Sequence, residues 1–150
     1  MTTHSESRIL PHAADVMYAV VADVEKYPDF LPWCLGLRVL SRESMKACDV
    51  LRAEMLVGFN GFRERYTSRV MLDAAARTVD VTQTDGPFRQ LESHWRFTPQ
   101  SEGCRVDFSI AFEFKNRLLA AVAGKAFEQV VLKMADAFAA RARALSEKPE

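Results

Sequence analysis

The feature that most constrains this chain is a switch of hydrophobic period. From residue 35 to residue 114 apolar side chains recur at every second position; from Asn116 to about Leu145 they recur every three or four. A period of two builds half-buried strands, and a period of 3.6 builds an amphipathic helix. Residues 105–114 alternate most cleanly, with Val106, Phe108, Ile110, Phe112 and Phe114 on one face. Residues 90–97 follow, with Leu91, Ser93, Trp95 and Phe97 opposed to Gln90, Glu92, His94 and Arg96. Further strands are predicted over 35–40, 47–59, 62–72 and 77–84, the first with Leu35, Leu37 and Val39 on one side. Asn60-Gly61, Asp85-Gly86-Pro87 and Ser101-Glu102-Gly103 supply tight turns between strands. Short turns make neighbouring strands antiparallel.

A sheet with one apolar face needs a cover. The terminal helix provides it. Asn116 is placed to cap it, Leu119, Val122, Phe127, Val130, Met134 and Phe138 form the apolar stripe, and Lys125, Gln129, Lys133 and Asp136 lie opposite. Gly124 interrupts it at a cost of up to about 1 kcal/mol against alanine; it serves either close packing or room for a ligand. The predicted class is α+β, a curved antiparallel sheet packed on a long C-terminal helix. At the N-terminal end a short strand over 5–10 stops at Pro11. A helix over 13–22 follows, with Val16, Ala19, Val20 and then Val24 as its stripe. A chain of 150 residues suits one domain and buries a core without metal or disulfide.

Between the first helix and the first long strand lies Val24-Glu25-Lys26-Tyr27-Pro28-Asp29-Phe30-Leu31-Pro32-Trp33-Cys34. Pro28 and Pro32 forbid a continuous helix, and Tyr27, Phe30, Leu31 and Trp33 are too apolar for an idle loop. The segment must cover a core or a cavity; we read it as the rim of a pocket for a greasy ligand.

Other chemistry is sparse. The formal net charge is 0, so no overall basic field draws in nucleic acid, and no DNA partner is expected. Cys34, Cys48 and Cys104 are far apart, without a Cys-x-x-Cys, which argues against a zinc site or a disulfide framework and for a reducing compartment. The first eight residues lack the apolar core of a secretory signal, and the longest apolar run, 16–22, falls short of the ~20 residues that span a bilayer. The expectation is a soluble, cytoplasmic protein. There is no Gly-x-Ser-x-Gly and no phosphate-cradling glycine loop. His4, His12 and His94 read as surface residues, with no clustered metal ligands. Glu64 falls on an apolar face between Phe62 and Tyr66. It is either a head-group contact or general base, or a strand-end residue that reaches solvent or is turned outward by a slip of register at a bulge. Arg63, Arg65, Arg69, Arg96 and Arg105 share the outer face with Asp80, Glu92 and Asp107. Cross-strand ion pairs are expected; the alternative is a surface for anionic lipid or ribosomal RNA.

Residues 23–34 resemble the signature of the coenzyme-Q-binding START family. Tyr66-Thr67-Ser68-Arg69-Val70, Asp85-Gly86-Pro87-Phe88 with Leu91, Trp95 and Phe97, and Ala137-Phe138 with Arg141-Ala142 are similar to later parts of it, so the resemblance covers nearly the whole chain. It implies a helix-grip, START/Bet v 1-like fold with a hydrophobic tunnel that holds ubiquinone or a similar isoprenoid lipid, with no other cofactor and no metal. It implies a carrier or chaperone for respiration and quinone synthesis rather than an enzyme, in peripheral contact with the inner membrane. The same family contains RatA-type toxins that bind the large ribosomal subunit. Polyketide cyclases are distant relatives, a reading for which Glu64 would be the one base. Eukaryotic members carry a mitochondrial presequence that this chain lacks, which suggests a bacterial or processed protein. The expected ligand contacts are Tyr27, Phe30, Leu31 and Trp33 in the proline-kinked segment; Met55, Val57, Phe62, Glu64 and Tyr66; Phe88, Leu91, Trp95 and Phe112; and Val122, Phe127 and Val130 on the helix.

Overall fold

The computed structural model describes residues 1–59 and 61–147, the side chains of Phe59 and Glu147 excepted. Strands β1 (Thr2–Leu10), β2 (Cys34–Ser44), β3 (Asp49–Phe59), β4 (Phe62–Asp73), β5 (Thr78–Asp85), β6 (Phe88–Gln100) and β7 (Gly103–Phe114) form one sheet in the order β1-β7-β6-β5-β4-β3-β2. All neighbours are antiparallel. The meander from β2 to β7 follows from the short turns. Of the Asn60-Gly61 turn, Asn60 lies outside the described residues; Gly61 has φ +83°, a conformation that glycine takes without strain. β1 pairs with β7, from Thr2 opposite Phe112 to Leu10 opposite Cys104, a long-range closure that no turn motif announces. At Gly103 (φ +142°) an added Cβ would stand 1.9 Å from the Leu10 carbonyl oxygen, so the β6–β7 turn touches the end of β1 backbone to backbone.

Helices α1 (Ala14–Ala22) and α2 (Arg117–Glu147) cover the inner face, joined to the sheet by a 3₁₀ helix, Val24–Asp29. This is the helix-grip arrangement expected from the sequence. The Asn116 side-chain oxygen accepts from the Leu119 N–H at 2.9 Å and caps α2 as predicted. Val122, however, is 59% exposed, while Ala123 beside it is fully buried with Phe127, Val130, Val131, Ala135, Phe138 and Ala142. Phe127, Val130 and Phe138 are therefore buried as predicted, whereas Ala123 takes the place of Val122 and Ala135 lies deeper than Met134. Gly124 faces open space: a Cβ added there would meet no atom within 4 Å, so close packing is not its role.

α1 also turns differently from the prediction. Met17 and Val21 are buried with Ala14, Val20 and Val24, and Val16 is 44% exposed. Nearly every residue of α1 except Asp15 is apolar or small, so periodicity alone leaves the phase open. In β2 the pairing slips between Cys34 and Gly36 and between Val39 and Ser41; these bulges turn Leu35 outward while Leu37 and Val39 stay half-buried.

At the opposite edge β1 sends charged side chains toward the helix. Glu6 accepts from His4 and from Arg8, each at 3.1 Å, and Arg8 also reaches Asp136 of α2 at 2.6 Å. Among the described residues no helix is long and apolar enough to cross a membrane.

Candidate functional site: a cavity between sheet and helix

A cavity of about 120 Å³ separates the inner face of the sheet from α2. It approaches the size of an apolar cavity of about 150 Å³ that takes up benzene, so its scale is that of one small ring or a short apolar segment. The proline-kinked segment contributes Tyr27, Leu31 and Trp33. The β3–β4 hairpin contributes Met55, Val57, Phe62 and Tyr66, β6 contributes Phe88, Leu91 and Trp95, and α2 contributes Phe127 and Val130. Each of these is an expected contact.

Four other expected contacts stand outside the cavity. Phe30 packs behind its wall, edge to face against Tyr27 and Phe138, with the Arg141 guanidinium 5.1 Å from its ring centre. Phe112 lies in the aromatic cluster behind Phe88 and Phe127, its ring 4.7 Å from that of Phe127. Val122 points to solvent, because the buried stripe of α2 runs through Ala123 instead. Glu64 pairs in register with the inward-facing Val57, yet its side chain is exposed. It lies near the end of β4, where a charged side chain can turn back to water, so it faces neither a ligand nor a reacting atom in the cavity.

Several lining residues go unmarked by sequence reasoning: Val24, Leu37, Val81, Ser68, Ser93 and Phe138 among them. Strand parity places Ser68 and Ser93 on the inner face, but a small polar residue on an apolar face carries no signal of its own. Phe138 reads from the sequence only as core and family motif.

The local structure explains how the wall is held. The 3₁₀ helix runs through Pro28 to Asp29, and beyond it the Leu31 N–H bonds the Tyr27 carbonyl at 2.9 Å, turning Leu31 inward. The Trp33 carbonyl accepts from the Gly58 N–H at 2.9 Å, which ties the segment to β3. The Tyr27 hydroxyl donates to the Val21 carbonyl at the end of α1. Burial holds the phenols of Tyr27 and Tyr66 far above their ordinary values, with Ser68 partly offsetting this at Tyr66 by a hydrogen bond. Burial likewise pushes the Cys34 thiol up to about 11. These groups stay protonated and neutral, which suits an apolar pocket.

The convex face is a second candidate. Arg52 of β3 lies directly opposite Arg69 of β4. Glu54 accepts from both Arg38 and Arg65, at 3.1 and 3.2 Å. Arg105 pairs with Asp107 in its own strand, and His94 with Asp80. The expected cross-strand ion pairs therefore form at Arg65 but not at Arg63, Arg69 or Arg96, which have no carboxylate partner among the described residues. Arginine is concentrated on β2–β4, while Asp80, Glu92 and Asp107 lie on β5–β7.

A family model described as polyketide cyclase/dehydrase and lipid transport matches residues 10–139. The ribosome association toxin RatA of Escherichia coli (strain K12) is 36% identical over 143 residues, covering 93% of this chain and 85% of that protein. The mitochondrial coenzyme Q-binding protein COQ10 homolog B of Xenopus laevis is 38% identical over 139 residues, covering 90% of this chain and 55% of that protein. The solution structure of the 18 kDa protein CC1736 from Caulobacter crescentus superposes with a TM-score of 0.79 at 36% identity, covering 99% of this chain and 100% of that one.

Proposed function

Because the chain belongs to the polyketide cyclase/dehydrase and lipid-transport family, we propose that its cavity binds the ring of an isoprenoid quinone such as ubiquinone, or of a similar isoprenoid lipid, and that the protein is a carrier or chaperone for it. The observation that carries this reading is the cavity itself, walled by Tyr66, Trp95, Phe127 and their neighbours, where a filled core would have left no room. A quinone ring with its tail is larger than the space as it stands, so binding requires the wall to part, and the contact of Tyr27 in the proline-kinked segment with Phe138 of α2, backed by Phe30, is a seam between two elements where it can do so. Each buried methylene contributes about 0.8 kcal/mol, and a bilayer offers the tail a comparable environment. Transfer between membrane and protein then runs close to balance, which allows both loading and release. Organic extraction of the purified protein followed by mass spectrometry, with titration of a short-tailed ubiquinone, tests the reading. Recovery of an isoprenoid and saturable binding support it; repeated recovery of none, with no binding, overturns it.

A second reading is favoured by the convex face and by the kinship with RatA: association with the large ribosomal subunit. Arginine forks suit phosphodiester oxygens, and Arg52, Arg63 and Arg69 stand ready to meet them. Sedimentation of lysate decides the matter. Co-migration with large subunits that weakens steeply with salt and is lost in Arg52→Glu/Arg69→Glu supports it; free protein at low salt counts against it.

A further inference from the structure

The cavity wall carries the hydroxyls of Tyr27, Tyr66, Ser68 and Ser93. Tyr27 donates to the Val21 carbonyl, and Tyr66 has Ser68 as a polar neighbour that holds its phenol down. Ser93 differs. It is only 7% exposed, and among the described residues none hydrogen-bonds its hydroxyl. The hydroxyl is not walled in; it opens onto the cavity it lines.

Its position is equally telling. The register across the sheet reads Leu51, Val70, Val81, Ser93, Ile110, an apolar floor with one hydroxyl in it. A floor built for packing alone would carry a valine there, since a hydroxyl deep in an apolar site is unfavourable without a partner.

Resting on the quinone-carrier reading, we infer that Ser93 is the anchor for a ring oxygen of the bound ligand, so that the ring lies on the centre of the sheet and the tail leads away from it. A serine hydroxyl donates to a quinone carbonyl and accepts from the corresponding hydroquinone. The anchor therefore serves both redox forms of the ring, and discriminates against a hydrocarbon of the same shape.

Titration calorimetry of wild type, Ser93→Ala and Ser93→Thr with a decyl-substituted benzoquinone and with decylbenzene tests this. Wild type should prefer the quinone. Ser93→Ala should bind the quinone about tenfold more weakly, the weight of one buried hydrogen bond, and bind decylbenzene unchanged, which also shows the cavity intact. Ser93→Thr, which keeps the hydroxyl, should keep the preference. Unchanged quinone affinity in Ser93→Ala, or an equal loss for both ligands, overturns the anchor while leaving the carrier reading in place. Failure of wild type to bind either ligand overturns both.

Discussion

Tyr27 meets Phe138 edge to face, with ring centroids 5.3 Å apart, and this contact joins the proline-kinked segment to the second half of α2. Phe138 also stands edge to face against Trp95 at 5.2 Å, so one side chain links segment, helix and sheet. Phe138→Ala should cost about 3–5 kcal/mol, as for other buried phenylalanines, and enlarge the cavity beneath. Urea unfolding gives the first; faster uptake of a decyl benzoquinone gives the second.

Tyr27→Phe isolates the hydrogen bond from the ring. It leaves the Val21 carbonyl without its side-chain donor, and a buried acceptor so treated costs about 1–3 kcal/mol. The denaturation midpoint should fall while the slope stays constant.

Gly124→Ala should do the reverse. Nothing lies within 4 Å of the new methyl group, and alanine in a helix interior gains roughly 0.5–1 kcal/mol over glycine. A higher midpoint with unaltered ligand binding is expected.

The convex face predicts a stabilising charge reversal. Like charges directly opposite on neighbouring strands repel, so Arg52→Glu should pair with Arg69 and raise stability by less than about 1 kcal/mol. A variant that is more stable yet sediments away from ribosomes would mark the arginine pair as kept for binding.

Glu6 sets an acid limit. Burial works against its ionisation, but hydrogen bonds and charges from Arg8 and His4 outweigh this and hold its carboxyl below the ordinary 4.5. The folded value lies under the unfolded one, so the contribution is present above pH 4.5 and is lost as pH falls through the folded value. Glu6→Gln should flatten the stability profile in that acid window, as followed by urea midpoints.

The strand pattern was legible because alternation along residues 90–97 and 105–114 leaves one consistent parity. So was the cap at Asn116. The helix phases were legible only in part: Val20, Phe127, Val130 and Phe138 are buried as read, but Val16 and Val122 face out where the molecule buries Met17 and Ala123; in α1 several stripes are equally apolar, and in α2 alanines allow close approach without announcing it. Glu64 shows the limit of parity, since it fixes a face but not how far a long side chain can turn at a strand end. Ser93 shows the converse: parity places it, and only the space in front of it gives it a meaning.

Among the described residues the sheet stays open, with β1 and β2 each leaving one side unpaired. Such borders invite fibril growth unless something spoils the template. Two bulges distort β2, and along β1 the inward His4, Glu6 and Arg8 would bury charge in any added strand's neighbourhood. The consequence is that neither flank offers a second copy a flat, uncharged template on which to polymerise.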